Sequence, residues 1–197
     1  MAHSFTRFIL LFIIIFIVKS AYSMQDTLGE KGDTLELHRT VREAHLEQLI
    51  YLLQQGAPVD SRNYAQDTLL HEAVLSGNRP IVQILLDAHA EVNAVNNLGM
   101  APLHLAIFSQ QEDLARLLIL CGASVNIQDS FGRTPLHYAV FNNDKNLIHV
   151  LLSAGATPGI KDKTGLSPLE WALRKALNKS EHQDMLHLFR ATRKAAL

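Results

Sequence analysis

Residues 134–139 read TPLHYA, and this short stretch decides the fold because it recurs along the chain. Its first four positions return, with substitutions, as TLLH at 68–71, APLH at 101–104 and SPLE at 167–170, always 33 residues apart. A degenerate first copy reads LELH at 35–38. A fixed period of this length is typical of a solenoid in which one supersecondary unit is repeated.

A second marker lies 18 residues after each His, as GA at 56–57, 122–123 and 155–156 and as HA at 89–90. Each residue type suits its place. Thr134 is a good helix N-cap, and Pro135 fits the first helical position, where the missing N–H has no cost. Gly favours the left-handed ending of a helix. The two markers therefore predict two short helices per repeat, with a strained ending at His89.

These motifs make the chain similar to the ankyrin-repeat family over about residues 34–197. The resemblance implies an all-α solenoid of about five stacked helix-turn-helix repeats joined by β-hairpin loops, here called fingers. The repeats are predicted at about 34–63, 64–96, 97–129, 130–162 and 163–197, with the first and last as caps. The resemblance implies an Asp-x-x-Gly turn in each finger. Residues 129–132 and 162–165 match this element, and residues 96–99 match it with Asn in place of Asp. We expect the first finger to be less regular because residues 63–66 lack the Gly.

The N-terminal region differs from the repeats. Residues 8–18 form an uninterrupted apolar run, and small residues at Ala21 and Ser23 fit a cleavage site. This pattern is typical of a secretory signal peptide over residues 1–23, followed by a short disordered segment over 24–33. We therefore expect export to the periplasm or secretion. The alternative is an uncleaved segment that anchors the chain in a membrane.

Composition narrows the possible partners. The chain has 197 residues, 48% hydrophobic content and a formal net charge of −1, which gives no indication of nucleic-acid binding. The charge is uneven: residues 24–160 carry a net −7 and residues 161–197 a net +4. The basic end is either a solvated cap or a contact for an acidic partner or an anionic membrane. We expect a monomer.

Ten histidines raise the question of a metal or catalytic site. Four of them, His38, His71, His104 and His137, occupy one repeat position, and packed helices lie roughly 8–10 Å apart, too far for one shared zinc ion. The resemblance implies a structural role for them. Cys121 stands where a small packed residue is expected. The sequence contains no nucleophile with a base and an orienting group, so we predict no enzyme activity, no cofactor and no metal.

The resemblance also implies a binding surface on the fingers and first helices. Large apolar side chains at exposed positions there would mark an interaction site. The predicted partner-binding residues are Leu105, Phe108, Phe131, Arg133, Tyr138, Phe141 and Trp171. We therefore expect an exported, non-enzymatic scaffold that recognises a protein on this face. The alternatives are a membrane-tethered scaffold and a secreted effector of a host-associated bacterium.

Overall fold

The computed structural model describes residues 32–178 and 187–189, and within them the regular structure is helical. The named helices are α1 (Gly32–Arg42), α2 (Leu46–Gln54), α3 (Leu69–Leu75), α4 (Arg79–Asp87), α5 (Pro102–Phe108), α6 (Glu112–Leu120), α7 (Pro135–Asn142), α8 (Lys145–Ser153) and α9 (Pro168–Asn178). Residues 187–189 add a helical turn. The predicted all-α solenoid of helix pairs is confirmed, and α1 begins slightly before residue 34.

Helices pair within each repeat and stack on the same helix of the next repeat. The first helices α1, α3, α5, α7 and α9 contact one another more extensively than the second helices do. The second helices therefore spread apart, and the first helices with the fingers form the inner, concave surface. Two columns of fully buried leucines follow the period, one on the first helices and one on the second: Leu70, Leu103, Leu136, Leu85, Leu118 and Leu151.

The helices are short because the backbone turns left-handed at fixed points of the period. All the described residues with positive φ fall into three positions: between the paired helices, after the second helix, and in the finger. The second position holds Gly56, Gly122 and Gly155, and His89 takes it with φ of +62°. The strained ending predicted at His89 is therefore present, since a side chain there opposes the left-handed conformation.

The fingers are tight turns rather than extended β-hairpins. Among the described residues, β pairing is limited to one isolated antiparallel bridge between Arg62 and Thr68. It lies in the first finger, which is no less regular than the others. Gln66 takes the Gly position with φ of +61°. Asn63 Oδ1 accepts hydrogen bonds from the N–H groups of Ala65 and Asp67.

The same side-chain bonds recur in the other fingers, where Asn96, Asp129 and Asp162 each accept from the N–H groups two and four residues later. An acceptor oxygen at the first position of the turn is thus common to all four fingers. The Gly at the fourth position is not. The expectation of an irregular first finger was wrong for this reason.

Successive fingers are joined through their backbones. The N–H of Ser130 donates to the carbonyl of Leu98 at 2.9 Å, and the N–H of Lys163 donates to the carbonyl of Phe131 at 2.9 Å. Gly99 lies at the closest approach, because a Cβ on it would meet Ser130 N at 2.6 Å. A side chain at this position is therefore excluded by the neighbouring finger as well as by its φ of +69°.

Two further expectations can be compared with the structure. Cys121 is exposed, which contradicts the packed position expected for it. The predicted signal peptide and most of the segment over residues 24–33 lie outside the described residues, as does most of the predicted final helix. Among the described helices, none combines the length and apolar character needed to cross a membrane.

We predict that Gly99→Ala destabilises the protein more than Gly165→Ala. Both residues have positive φ, so each substitution introduces left-handed strain of about 1 kcal/mol. A Cβ on Gly165 meets no atom within 4 Å, whereas a Cβ on Gly99 collides with the next finger. The collision adds about 1–3 kcal/mol. Urea unfolding of both variants measures the difference, and equal losses would show that the fingers are not in close contact.

Candidate functional site

The inner surface is held in place by a repeated histidine. In α3, α5 and α7, His Nδ1 accepts a hydrogen bond from the backbone N–H three residues earlier, at 3.0–3.1 Å. Its Nε2 lies 2.9–3.1 Å from a carbonyl 29 residues later, in the next finger. A carbonyl can only accept, so Nε2 carries the proton. Each ring thereby caps its own helix and ties it to the next repeat.

Burial sets the protonation state of these rings. His71, His104 and His137 all have lowered pKa values, chiefly because the rings are removed from water. For His104 the pKa falls to about 4, although the nearby Asp129 carboxylate raises it in part. A second proton would also place Nδ1–H against a backbone N–H. The neutral ring is therefore the one that supports the fold, and the structural role implied for the histidines agrees with this geometry.

The two ends of the histidine series differ. At the N-terminal end Leu35 lies inside α1, so the cap that His38 would complete is absent, and His38 Nδ1 lies 3.0 Å from Glu72 Oε2. At the C-terminal end Glu170 takes the place of His. Its Oε2 accepts from the N–H of Ser167 at 2.7 Å and from the Ser167 hydroxyl at 2.8 Å. The helix cap is preserved there, with a carboxylate in place of the ring.

The third finger and α7 form a compact polar and aromatic cluster. Asp129 Oδ2 accepts from Tyr138 Oη at 2.5 Å and from Arg133 Nε at 3.1 Å. The guanidinium of Arg133 lies over the Phe131 ring at 4.3 Å and over the Tyr138 ring at 5.1 Å. Burial and the Asp129 charge raise the Tyr138 pKa well above its usual value. The cluster fixes the finger against the first helix, and only Phe131 remains exposed, at 45%.

The structure places the predicted partner-binding residues at different depths. Leu105, Tyr138 and Arg133 are buried, at 3%, 0% and 7% exposure, so the expected exposure of these three was wrong. Tyr138 and Arg133 both donate to the Asp129 carboxylate of the third finger. The remaining predicted residues are at least partly accessible: Phe108, Phe141 and Trp171 are half-buried and Phe131 is exposed.

The accessible rings belong to a row that follows the repeat. Leu75, Phe108, Phe141 and Arg174 occupy the same position near the ends of α3, α5 and α7 and within α9. We call these four residues the inner row. The first three are half-buried and Arg174 is exposed. Phe108 also packs edge-on against Tyr138, with ring centroids 6.1 Å apart. Aligning the repeats position by position finds the whole row from the sequence.

The described residues contain no group of three or more His, Cys, Asp or Glu side chains placed to hold a metal ion. A cleft of about 400 Å³ lies between α1 and α2 and is lined by side chains that include Glu36, Arg39 and Gln48. Arg39 and Glu43 pair with each other in its wall at 2.9 Å. The cleft lies at the N-terminal end of the stack, away from the inner row of repeats three to five.

The stacked helix pairs, the finger turns and the bridging histidines together define a repeat protein of the helical solenoid class. A family model described as ankyrin repeats in three copies matches residues 37–129 and 103–192. The chain therefore belongs to the ankyrin-repeat family. Ankyrin repeats are typically non-enzymatic modules that bind protein partners. Comparison with curated proteins gave no significant match.

We predict that the free energy of unfolding falls as the pH is lowered from 7 to 4. The folded pKa of His104 is about 4, below its value of about 6.5 in the unfolded chain, so the unfolded state binds the extra proton. The stabilisation is complete above pH 6.5 and is lost as the pH falls towards 4. His104 alone contributes about 3 kcal/mol to this loss.

Urea unfolding at several pH values measures this dependence. His104→Gln removes the titrating group and should flatten the dependence relative to the unchanged chain. Equal free energies of unfolding at pH 7 and pH 5 would contradict the neutral, buried state of the histidines.

Proposed function

We propose that this ankyrin-repeat chain is an exported scaffold that holds a protein partner on the inner surface of repeats three to five. The inner row carries the proposal, because Phe108 and Phe141 present half-buried apolar side chains at one position of successive repeats. The exposed ring of Phe131 lies on the adjacent finger. Apolar and aromatic groups of this kind, set among polar ones, supply most of the binding energy at protein interfaces.

Rigidity of the surface supports the same function. The first helices α3, α5 and α7 are each bonded to the next finger through a buried histidine, and successive fingers are bonded through their backbones. The C-terminal carbonyls of α5 accept from Asn142 Nδ2, and those of α7 accept from Lys175 Nζ. A surface that is already ordered loses little conformational entropy when a partner binds.

Export is the part of the proposal that rests on the sequence. The apolar run over residues 8–18 and the small residues that follow it motivate a cleaved signal peptide. A membrane-tethered scaffold is the alternative if the run is retained. A secreted effector of a host-associated bacterium is a version of the exported form. Both forms would use the same inner surface.

We expect the double substitution Phe108→Ser with Phe141→Ser to weaken partner binding by about 2 kcal/mol or more. Because each ring is half-buried, we also expect a loss of stability of about 1 kcal/mol per ring. The partner is captured on the mature chain, identified by mass spectrometry, purified and titrated against each variant. Melting curves check that the variant remains folded.

Tyr51→Ser with Leu120→Ser provides the matched control, because both side chains are large, apolar and exposed but lie on the second helices. The control should bind the partner as the unchanged chain does. If the control loses binding and the Phe108 and Phe141 variant does not, the partner lies on the second-helix surface instead.

We expect N-terminal sequencing of the exported chain to begin after Ser23, because the small residues at 21 and 23 fit the cleavage rule. Fractionation of the expressing cells accompanies the sequencing. A chain that retains residues 8–18 and sediments with membranes would support the tethered alternative. A full-length chain found with the soluble cytoplasmic proteins would contradict both forms.

A further inference from the structure

The inner surface changes character in the last repeat. The inner row is apolar at Leu75, Phe108 and Phe141 and basic at Arg174. A second position changes in the same way at the fingers, where Tyr64, Asn97 and Ser130 precede Lys163. Both basic side chains are exposed. A segment lying along the rows would therefore meet apolar and neutral groups first and positive charge at the end.

These cations can be compared with three arginines of the preceding repeats. Arg39, Arg116 and Arg133 each form an ion pair with an acidic residue four positions away. Within residues 32–178 and 187–189, no ion pair involves Lys161, Lys163 or Arg174. These three exposed positive charges, on the last finger and on α9, can therefore contact solvent or a partner.

The acidic groups of the last repeat serve other bonds. Asp162 is buried, and its Oδ1 accepts from the N–H groups of Thr164 and Leu166. Glu170 Oε2 accepts from Ser167, and these bonds are the main reason that its pKa is lowered. Lys161 and Arg174 lower that pKa further through their charges, without a direct pair. The carboxylates thus stabilise the finger and the helix cap and do not cover the cations.

The cations also lie beside the apolar part of the surface. The N–H of Lys163 donates to the carbonyl of Phe131, so the two residues belong to directly stacked fingers. Arg174 neighbours Lys175, whose Nζ lies 5.1 Å from the centre of the Phe141 ring. Lys175 itself is half-buried and caps α7 at 2.5–3.1 Å, so its role is internal. Lys163 therefore lies on the finger that stacks on the one carrying the exposed Phe131 ring, and Arg174 lies next to the residue that contacts Phe141.

We infer that the partner contributes an extended peptide segment in which apolar side chains are followed by a cluster of Asp and Glu residues. The apolar side chains contact the inner row over α5 and α7, and the acidic cluster contacts Lys161, Lys163 and Arg174 on the last repeat. The inference rests on the proposed function and adds the chemistry of the partner to it. Opposite charge at this end also orients the segment, because the reversed direction would leave the three cations without a counter-charge.

An anionic membrane is a poorer match for the same charges. The first helices pack more closely than the second helices, so the surface that carries Lys163 and Arg174 is concave. A flat bilayer contacts protruding surfaces, whereas a peptide can enter a concave one and reach the half-buried rings. We therefore assign the charges to a peptide.

The test uses fluorescence anisotropy with synthetic probes and the mature chain. The first probe is a labelled extended peptide with Leu and Phe in one half and Asp and Glu in the other. The second probe has Lys at every acidic position, and the third consists of vesicles of equimolar phosphatidylcholine and phosphatidylserine. We expect the acidic peptide to bind, the basic peptide not to bind, and added salt to weaken the complex.

Charge reversal locates the contact. Lys163→Glu with Arg174→Glu should weaken binding of the acidic peptide by about tenfold. The matched control, Arg79→Glu with Lys145→Glu, changes the net charge equally at the start of two second helices and should leave binding unchanged. Equal effects of the two pairs, or no binding of the acidic peptide, would overturn the inference. Binding of the vesicles alone would overturn it in favour of a membrane.

The variant Phe108→Ser with Phe141→Ser separates this inference from the proposed function. If this variant loses the captured partner while charge reversal has no effect on that partner, the surface is correct and the acidic chemistry is wrong. If neither pair affects the captured partner, the surface itself is wrong.

Discussion

The buried histidine of each inner repeat is the interaction on which the stack depends. One ring nitrogen accepts from the start of its own helix and the other donates to the next finger, so a local bond and a bond between repeats share one side chain. Helices of seven to nine residues are too short to be stable alone. Each helix pair is therefore stabilised by its neighbours, and the neutral state of the ring is a condition for the whole assembly.

Most of the fold could be predicted from the sequence because its main determinants are local. Thr134, Pro135 and His137 define the start of α7. Gly155 defines the end of α8, the second helix of the same repeat. Their return after a fixed number of residues then gives the stacking order. The irregular finger was predicted wrongly because the turn requires an acceptor oxygen at Asn63, whereas the Gly position tolerates Gln66 in a left-handed conformation.

The binding surface was less predictable because burial depends on contacts between repeats. Leu105 and Tyr138 follow the histidine on short helices, and the sequence alone does not show that both are buried. Tyr138 reaches Asp129, nine residues earlier, and is fully buried as a result. Phe108 and Phe141 lie near the helix ends and remain half-buried. The position of a residue within the first helix therefore distinguishes the buried pair from the half-buried pair.

The replacement of His by Glu170 has a consequence for how such a chain can lengthen. A carboxylate preserves the cap of α9, but when ionised it cannot donate a hydrogen bond to a following carbonyl. A sixth unit appended after the last repeat would lack the link that joins all the inner ones. Duplication of an internal unit keeps every donor and acceptor in its place. Growth of this molecule, by evolution or by design, is therefore favoured in its middle and opposed at its C-terminal end.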